Sequence, residues 1–359
     1  MCPTGGELRY IALSHPWGNG NDHDHFCTTK ENLDSRLSAG IYVENLPSTF
    51  RHAVEVTRAL GVPYLWIDSL CIVQGPDGDF DTEAKRMEAV FSSAYCVIAA
   101  SRANGTSSGF LWKRPEREVV RLDGYLADNP VYVCEYIDDF QHDVIEGALN
   151  TRGWVLQERA LASRTIYFTE KQTYWECGQG VRCETLTRLT NQASFLGDPN
   201  FPKLAMRSTR GAKIRFYESL YRQYSNLDFT KIHDRPIAIA GLEQRLISAF
   251  KTEGGYGIFN GAFFGRSLLW TRDIQRSHGL KLINFPPGQK FRVPTWSWTA
   301  YEGPITYLDI PFDHVRWTYN TAEGGVRSPW STMESDSTSF SLHTGELNGR
   351  IDLTAQARQ

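Results

Sequence analysis

The residue types best suited to chemistry are concentrated in the stretch Arg152–Arg159, which reads Arg-Gly-Trp-Val-Leu-Gln-Glu-Arg. Trp154 and Glu158 are four residues apart, so a helix would place both side chains on one face. A carboxylate beside a large aromatic side chain is an unusual combination for a helix that must also bury a surface. Glu158 is therefore a candidate catalytic carboxylate. The alternative is structural: Trp154 anchors the core and Glu158 pairs with an arginine, because structural ion pairs outnumber catalytic carboxylates.

Further polar side chains stand where apolar runs end or are interrupted. Ser14, His15 and Trp17 come at the end of the first apolar run. Asp68 interrupts the next one, Tyr64–Ile72. Parallel strands bring their carboxyl ends to one edge of a sheet, which is where open sheets bind ligands. The sequence therefore predicts a substrate-binding group that converges with Glu158 and consists of Ser14, His15, Trp17, Asp68, Glu83, Arg152 and Trp154.

Structural alternatives stay open for two of these residues. A lone carboxylate in an apolar run, such as Asp68, can instead cap the amides of a neighbouring loop. Glu83 falls in the first turn of a predicted helix, where its negative charge suits the helix dipole. Ser14 and His15 are not expected to form a nucleophile–base pair, because adjacent residues of a strand point to opposite sides.

Alternating strand and helix signals precede the Arg152 stretch. After the first apolar run, an amphipathic helix is predicted between Pro47 and Gly61. The nearly continuous apolar run Tyr64–Ile72 is typical of a strand covered on both faces, so the unit predicts a parallel crossover. A helix at Thr82–Ala94 and a strand at Tyr95–Ser101 follow. We therefore expect an α/β fold with a mostly parallel sheet flanked by helices.

The pattern also predicts a hairpin inserted before the Arg152 stretch, because Glu118–Leu122 and Val131–Tyr136 both alternate as strands do. Two strand-like runs, Arg164–Thr169 and Gln172–Cys177, come after that stretch. The predicted first domain spans residues 9–183.

The pattern changes after residue 183, where we expect a mixed α+β region at 184–359. It contains two amphipathic helices, at Lys213–Asn226 and Arg235–Lys251. A strand is predicted at Arg292–Gly303, with Trp296 and Trp298 on the same face. Residues 318–340 are rich in Ser, Thr, Gly and Glu, which predicts a flexible stretch.

Composition argues against several classes of protein. The 359 residues carry a formal net charge of −3 and no polybasic run, so no nucleic-acid partner is expected. No stretch approaches about 18 consecutive apolar residues, so no membrane span is expected, and the first residues are not those of a signal peptide. The seven cysteines include no C-x-x-C pair, which favours reduced thiols in a cytoplasmic protein.

The sequence also lacks the motifs of several common enzymes. It has no dinucleotide-binding glycine fingerprint, no P-loop, no zinc-protease motif and no nucleophile elbow. The segment Asp22–His25 carries two Asp and two His, which can bind metal on a fixed scaffold but are more typical of a solvated loop. No metal and no cofactor are therefore predicted.

Three ordered blocks resemble the fungal heterokaryon-incompatibility (HET) domain. They are Tyr10-Ile-Ala-Leu-Ser-His-Pro-Trp-Gly18, Leu65-Trp-Ile-Asp-Ser-Leu-Cys-Ile-Val-Gln74 and Arg152-Gly-Trp-Val-Leu-Gln-Glu158, with Glu83, Met87 and Ala94 between the last two. The resemblance covers about residues 9–158, and Trp175-Glu-Cys177 and Pro294-Thr-Trp-Ser-Trp298 extend it to about residue 305. It implies a role in non-self recognition and regulated cell death.

The HET domain is distantly similar to TIR domains, so the resemblance implies a TIR- or flavodoxin-like fold. Some TIR domains cleave the bond between nicotinamide and ribose in NAD with a glutamate in a W-C-x-x-E pattern. Trp154 and Glu158 have the same spacing, with Val155 in place of the cysteine. The resemblance thus implies a candidate NAD glycohydrolase in which Glu158 is catalytic, Trp154 or Trp17 is a stacking wall, and NAD is substrate rather than cofactor.

Two other functions stay open. The same residues could hold together a non-enzymatic signalling module that recruits partners. A HET scaffold could also serve as a small-molecule enzyme of secondary metabolism, which an aromatic-lined pocket formed with Trp270, Trp296 and Trp298 would favour. The expected partners are a small-molecule ligand of nucleotide size and further copies of the chain in a homo-oligomer.

Overall fold

A computed structural model provides the structure of the chain. It describes residues 9–18, 26–114, 116–122, 131–189, 209–276, 279–286 and 293–312, and the backbone of 315–318 and 354–357. The His/Asp-rich loop at 19–25 and all but the first residue of the predicted flexible stretch 318–340 lie outside these ranges.

The chain folds into two compact units that interleave in sequence. The first unit takes in residues 1–80, 91–150 and 162–199. The second takes in residues 81–90, 151–161 and 200–359. The Arg152 stretch therefore belongs to the same unit as the C-terminal part of the chain. The domain boundary predicted near residue 183 stays a prediction.

Strands in the described ranges are, in chain order, β1 (Tyr10–Ser14), β2 (Thr28–Thr29), β3 (Tyr64–Ile67), β4 (Val73–Gln74), β5 (Cys96–Ala99), β6 (Val119–Leu122), β7 (Val131–Cys134), β8 (Arg164–Phe168), β9 (Thr173–Cys177), β10 (Gly180–Cys183), β11 (Arg188–Leu189), β12 (Gly254–Gly255), β13 (Ile258–Phe259), β14 (Trp270–Arg272), β15 (Lys281–Leu282), β16 (Tyr301–Glu302), β17 (Ile305–Tyr307), β18 (Val315–Thr318) and β19 (Thr354–Ala357).

The α-helices in the same ranges are α1 (Lys30–Ala39), α2 (Ser48–Ala59), α3 (Asp68–Cys71), α4 (Phe80–Glu83), α5 (Met87–Ser93), α6 (Gly153–Leu161), α7 (Arg210–Ser225), α8 (Ala240–Phe250) and α9 (Phe264–Ser267). Short 3₁₀ turns include Ala84–Arg86, Ile232–Asp234 and Trp298–Ala300, and a π-helical turn spans Gln141–Ile145.

A seven-stranded mixed sheet forms the first unit, in the order β11-β10-β9-β8-β5-β1-β3. β3, β1, β5 and β8 are parallel to one another, and β9, β10 and β11 extend the sheet beyond β8 with antiparallel pairing. The predicted α/β fold with a parallel core is confirmed. Four successive residues of β1, Ile11 to Ser14, are buried, as expected for a strand with neighbours on both sides.

Helix α2 is the crossover that connects β1 to the parallel strand β3. It begins after Pro47 and ends before Gly61, which has a φ of 66°. Such a left-handed conformation favours glycine after a helix. Phe50 and Ala53 of α2 belong to one apolar cluster with residues of β1, β3 and β5. The predicted strand-helix-strand unit is therefore present.

Two of the predicted elements are shorter than the apolar patterns indicate. The run Tyr64–Ile72 leaves the sheet at Ile67 and continues as the short helix α3, whose first residue is Asp68. A carboxylate in the first turn suits the helix dipole, and this one accepts the Ser69 amide at 2.7 Å. The helix predicted at Thr82–Ala94 is divided into α4 and α5 by a 3₁₀ turn.

The other predicted strands of the first unit are present. The hairpin is confirmed as the antiparallel pair β6 and β7, and the two runs after the Arg152 stretch are β8 and β9. All six cysteines in the described part of the chain are free thiols. Within the same part, every helix is too short or too polar to traverse a bilayer.

Helices α7 and α8 supply the aromatic core of the second unit. Tyr217, Tyr221 and Tyr224 follow one stripe of α7, and none is more than 1% exposed. Trp298 is also fully buried, and its ring centroid lies 5.0 Å from that of Tyr221. The strand predicted at Arg292–Gly303 is wrong at this point, because Ser297 Oγ accepts the Thr299 amide at 3.0 Å and caps a 3₁₀ turn.

A two-residue turn connects β12 to β13 next to a buried carboxylate. Its central residues, Tyr256 and Gly257, have φ angles of 57° and 78°, as a type I′ turn requires. Glu243 of α8 accepts the Gly257 amide at 2.5 Å and faces the Tyr221 hydroxyl at 3.5 Å. Burial raises the pKa of Glu243 to about 7, against the lowering effect of these hydrogen bonds.

The raised pKa of Glu243 predicts a pH-dependent stability. Folding favours the protonated carboxyl, so the contribution is fully present below the ordinary pKa of 4.5 and is lost as pH rises through about 7. Urea unfolding at about pH 5 and about pH 8 measures it. We expect Glu243→Gln to remove the part of the pH dependence that falls in this window. An identical pH dependence in both proteins would contradict the assignment.

Candidate functional site

Four of the predicted site residues lie in the first unit, where β1 and β3 end. Asp68 is the first residue of α3, and its Oδ2 accepts the indole N–H of Trp17 at 2.7 Å. His15 Nδ1 lies 3.8 Å from Asp68 Oδ1. The structure thus brings together Trp17, Asp68 and His15. The Asp68 carboxylate also accepts the amide of the next residue, Ser69, at 2.7 Å, and the capping of a neighbouring loop stays a prediction.

His15 and Ser14 are more deeply placed than Trp17. His15 is 4% exposed and packs edge-on against Phe50 of α2, with 5.1 Å between ring centroids. The carbonyl of Ser14 accepts the Ala100 amide at 2.9 Å, which continues the ladder between β1 and β5. Ser14 and His15 are therefore buried at this edge of the sheet, whereas Trp17 and Asp68 are partly accessible.

Two loops meet at the same edge. A Cβ on Gly105, in the loop after β5, would lie 3.0 Å from the Cα of Gly18 in the loop after β1. The Gly105 carbonyl accepts the Thr49 hydroxyl at 2.7 Å, and the Thr49 amide donates to the carbonyl of Thr106 at 2.9 Å. The start of α2 therefore fixes the loop that faces Gly18, the neighbour of Trp17.

The other four predicted residues, Glu83, Arg152, Trp154 and Glu158, lie in the second unit. Glu83 accepts a hydrogen bond from Arg86 at 2.9 Å in an i, i+3 surface pair. The eight residues thus form two groups, one in each unit, and their predicted convergence stays a prediction.

Trp154 and Glu158 lie on α6, one turn apart. Every other residue of α6 from Gly153 to Leu161 is buried, whereas Trp154 is only partly buried. Glu158 is 8% exposed. Trp154 is therefore the partly accessible side chain of α6, and Glu158, one turn further along the helix, is buried.

The start of α6 is fixed by a segment far downstream in the sequence. The Gly153 amide donates to the carbonyl of Asp228 at 2.8 Å, and the Asp228 amide donates to the carbonyl of Thr151 at 2.7 Å. Gly153 lies against the ring of Phe229, because a Cβ at position 153 would come within 1.9 Å of its Cζ. A larger residue at position 153 would displace the Phe229 ring, so the small Gly in the Arg-Gly-Trp sequence suits this contact.

The middle of α6 is fixed to α8 by Gln157. Its Oε1 accepts the amides of Gly241 and Leu242 at 3.0 and 3.2 Å. These amides lie in the first turn of α8 and have no partner within the helix. The segment 81–90 also contacts α8, because the Glu88 carboxylate forms an ion pair with Arg245 at 2.5 Å. Gln157, for which the sequence predicted no functional role, thus orients the helix that carries Trp154 and Glu158.

Asp234 contacts the candidate residue Trp154, a contact that the sequence did not predict. Its Oδ2 accepts the indole N–H of Trp154 at 3.4 Å, and its Oδ1 lies 3.7 Å from Nε2 of His233. Burial raises the pKa of Asp234, and the charge of Asp81 adds to the increase. His233, Trp154 and Lys231 act in the opposite direction. No sequence signal links Asp234 to Trp154, since 80 positions separate them.

Trp298 does not line an accessible aromatic pocket of the kind that would favour a small-molecule enzyme. Trp298 is 0% exposed, with the Arg235 guanidinium 5.3 Å from its ring centroid. Gly257 packs against its indole, since a Cβ there would lie 2.1 Å from the indole nitrogen. The Trp270 indole N–H donates to the carbonyl of Trp296 at 2.9 Å. Within the described residues, no group of three His, Cys, Asp or Glu is arranged to hold a metal ion.

Comparison with known families identifies one segment. Residues 10–158 match the family model of the heterokaryon incompatibility protein (HET). The match supports the resemblance drawn from the three sequence blocks, and it covers less than half of the chain. No curated protein and no solved structure gave a match. The HET-matching segment ends at Glu158, inside α6, so its last helix is held by residues that lie beyond the match.

The contact between Gly153 and Phe229 predicts a specific coupling. Gly153→Ala forces a methyl group into the Phe229 ring, which should cost about 1–3 kcal/mol of unfolding free energy. In the double variant with Phe229→Ala the ring is absent, so the cost of Gly153→Ala should largely disappear. A double-mutant cycle by urea unfolding measures the coupling.

Gly211→Ala provides the matched control, because Gly211 is also in the first turn of a helix. A Cβ there would meet Phe312 at an ordinary distance of 3.7 Å. We expect this variant to be neutral or slightly stabilised. Additive effects of Gly153→Ala and Phe229→Ala would show that the downstream segment does not fix α6.

Proposed function

We propose that the protein acts in non-self recognition and regulated cell death, as its HET resemblance implies, and does so by cleaving NAD. The observation that carries this proposal is α6, on which the partly accessible Trp154 lies one turn before Glu158. The HET match over residues 10–158 supports the family role, and the Trp-to-Glu spacing of some TIR glycohydrolases supports the chemistry.

The strand order of the first unit supports the TIR- and flavodoxin-like interpretation. Counted along the chain, the four parallel strands lie in the order second, first, third, fourth. Flavodoxin-like sheets have this order and bind ligands outside the carboxyl ends of their first and third strands. Here these ends are followed by the loops that contain Trp17 and Gly105. On this ground we propose as ligand-binding residues Ser14, His15, Trp17 and Asp68. Glu83 and Arg152 are proposed because they belong to the sequence pattern that resembles the HET domain.

The reaction needs little from the protein beyond charge stabilisation. The bond between ribose C1′ and the nicotinamide nitrogen breaks, and its electron pair neutralises the ring, so no acid is needed for the leaving group. The ribose becomes oxocarbenium-like, and a carboxylate stabilises this positive charge. Water then bonds to C1′ and releases a proton, giving ADP-ribose and nicotinamide. Glu158 is the proposed carboxylate, and Trp154 the wall against which the substrate stacks.

A direct test compares NAD consumption by the purified full-length protein with that by Glu158→Gln. The wild type should release nicotinamide, and the variant should be slower by roughly 10²-fold or more, because it loses the charge but keeps the shape. Chromatography of nicotinamide and ADP-ribose measures both rates.

Glu55→Gln is the control, since Glu55 is an exposed glutamate of α2 and should keep the wild-type rate. Unchanged NAD after long incubation of concentrated wild-type protein would refute the enzymatic proposal. Equal rates for wild type and Glu158→Gln would refute the role of Glu158.

The burial of Glu158 favours a second candidate, a non-enzymatic signalling module. A glutamate that is 8% exposed in a helix whose other residues are mostly buried is typical of a structural carboxylate. In that case the HET-matching segment would act through its surface. A folded Glu158→Gln protein that keeps its toxicity in cells would favour this candidate over NAD cleavage.

A further inference from the structure

We propose that Trp154 and Asp234 form a binding subsite for a flat organic cation, the chemical class of the oxidised nicotinamide ring. The choice of this ligand class rests on the proposed function, but the subsite itself rests on the geometry of the second unit.

The aromatic part of the subsite is the indole of Trp154. Trp154 is partly exposed, whereas the other residues of α6 are buried. The contacts of Gly153 and Gln157 hold this helix in place. An indole ring binds cations over its face better than the other aromatic side chains do, because its face carries negative charge density. The accessible part of this fixed indole is the stacking surface that the proposal assigns to a flat ring.

The charged part is the carboxyl of Asp234 at the edge of the same indole. Oδ2 accepts the indole N–H at 3.4 Å, so an ionised Asp234 increases the negative charge of the ring and lies beside any ligand stacked on it. The side chain is only 16% exposed. A carboxylate in so little water attracts a cation more strongly than a surface carboxylate does.

Burial and the neighbouring charges set the pKa of this carboxyl. Burial raises it and is the largest influence, the charges of His233 and Lys231 lower it, and the charge of Asp81 raises it. His233 is the nearest, at 3.7 Å from Oδ1, and its side chain is 35% exposed. Because burial raises the pKa of Asp234, acid conditions should weaken cation binding as the carboxyl takes up a proton.

A cation and a neutral ring of similar shape should therefore be distinguished. The probes are 1-methylnicotinamide, which carries the fixed charge of the oxidised ring, and nicotinamide, which is neutral. Calorimetry or indole NH chemical-shift titration of the full-length protein should show at least tenfold tighter binding of the cation. Asp234→Asn, which keeps the shape and removes the charge, should abolish this preference.

Asp273→Asn is the matched control, since the Asp273 side chain is 14% exposed and also lies beside a cationic side chain in the second unit. It should leave the preference unchanged. Equal affinity of the wild type for both probes, or a preference that survives in Asp234→Asn, would overturn the proposal. If Asp234→Asn fails to fold, the wild type decides: cation affinity must fall on acidification while nicotinamide affinity does not.

The results separate this inference from the proposed function. Preferential binding of the cation without NAD cleavage would support the subsite and refute the glycohydrolase. NAD cleavage without a preference for the cation would refute the subsite and leave the glycohydrolase standing.

Discussion

The hydrogen bonds from the Gly241 and Leu242 amides to the carboxamide of Gln157 are the interaction on which the geometry of α6 depends. They satisfy two amides at the start of α8 that the helix itself cannot satisfy, and leaving such amides buried without partners is costly. Because Gln157 belongs to the same helix as Trp154 and Glu158, the same bonds hold the helix that carries both side chains. The backbone pairing of Gly153 with Asp228 fixes the start of the helix. The chemistry proposed for α6 is thus positioned by residues that the HET match does not include.

The strands of the sheet could be predicted from the sequence, whereas the candidate site could be predicted only in part. β5 is apolar throughout and β1 is apolar up to Leu13, as expected for strands whose two faces are both buried, and that pattern is visible in the sequence. The run Tyr64–Ile72 is also mostly apolar, yet its second half is the helix α3, which begins at Asp68. The apolar pattern alone does not distinguish a buried strand from a short buried helix.

Contacts across large sequence separations account for what the sequence could not show. The spacing of Trp154 and Glu158 predicted their common helix, but the partner of Trp154 is Asp234, in a 3₁₀ turn without a distinctive pattern. Trp296 and Trp298 were expected on the same face of one strand. They do not share a strand, because Ser297 between them caps a 3₁₀ turn that begins at Trp298. In the first case the local pattern gave the helix but not the partner of Trp154, and in the second a side-chain hydrogen bond overrode the local periodicity.

The role of Gln157 is tested most directly by amide hydrogen exchange in the full-length Gln157→Leu variant. We predict faster exchange at Gly241 and Leu242 and along α6 from Trp154 to Glu158. The Gly257 amide, which is held by Glu243, should keep its protection and serve as the internal control. Unchanged protection of Gly241, Leu242 and α6 would contradict the claim that α8 positions the helix carrying Trp154 and Glu158.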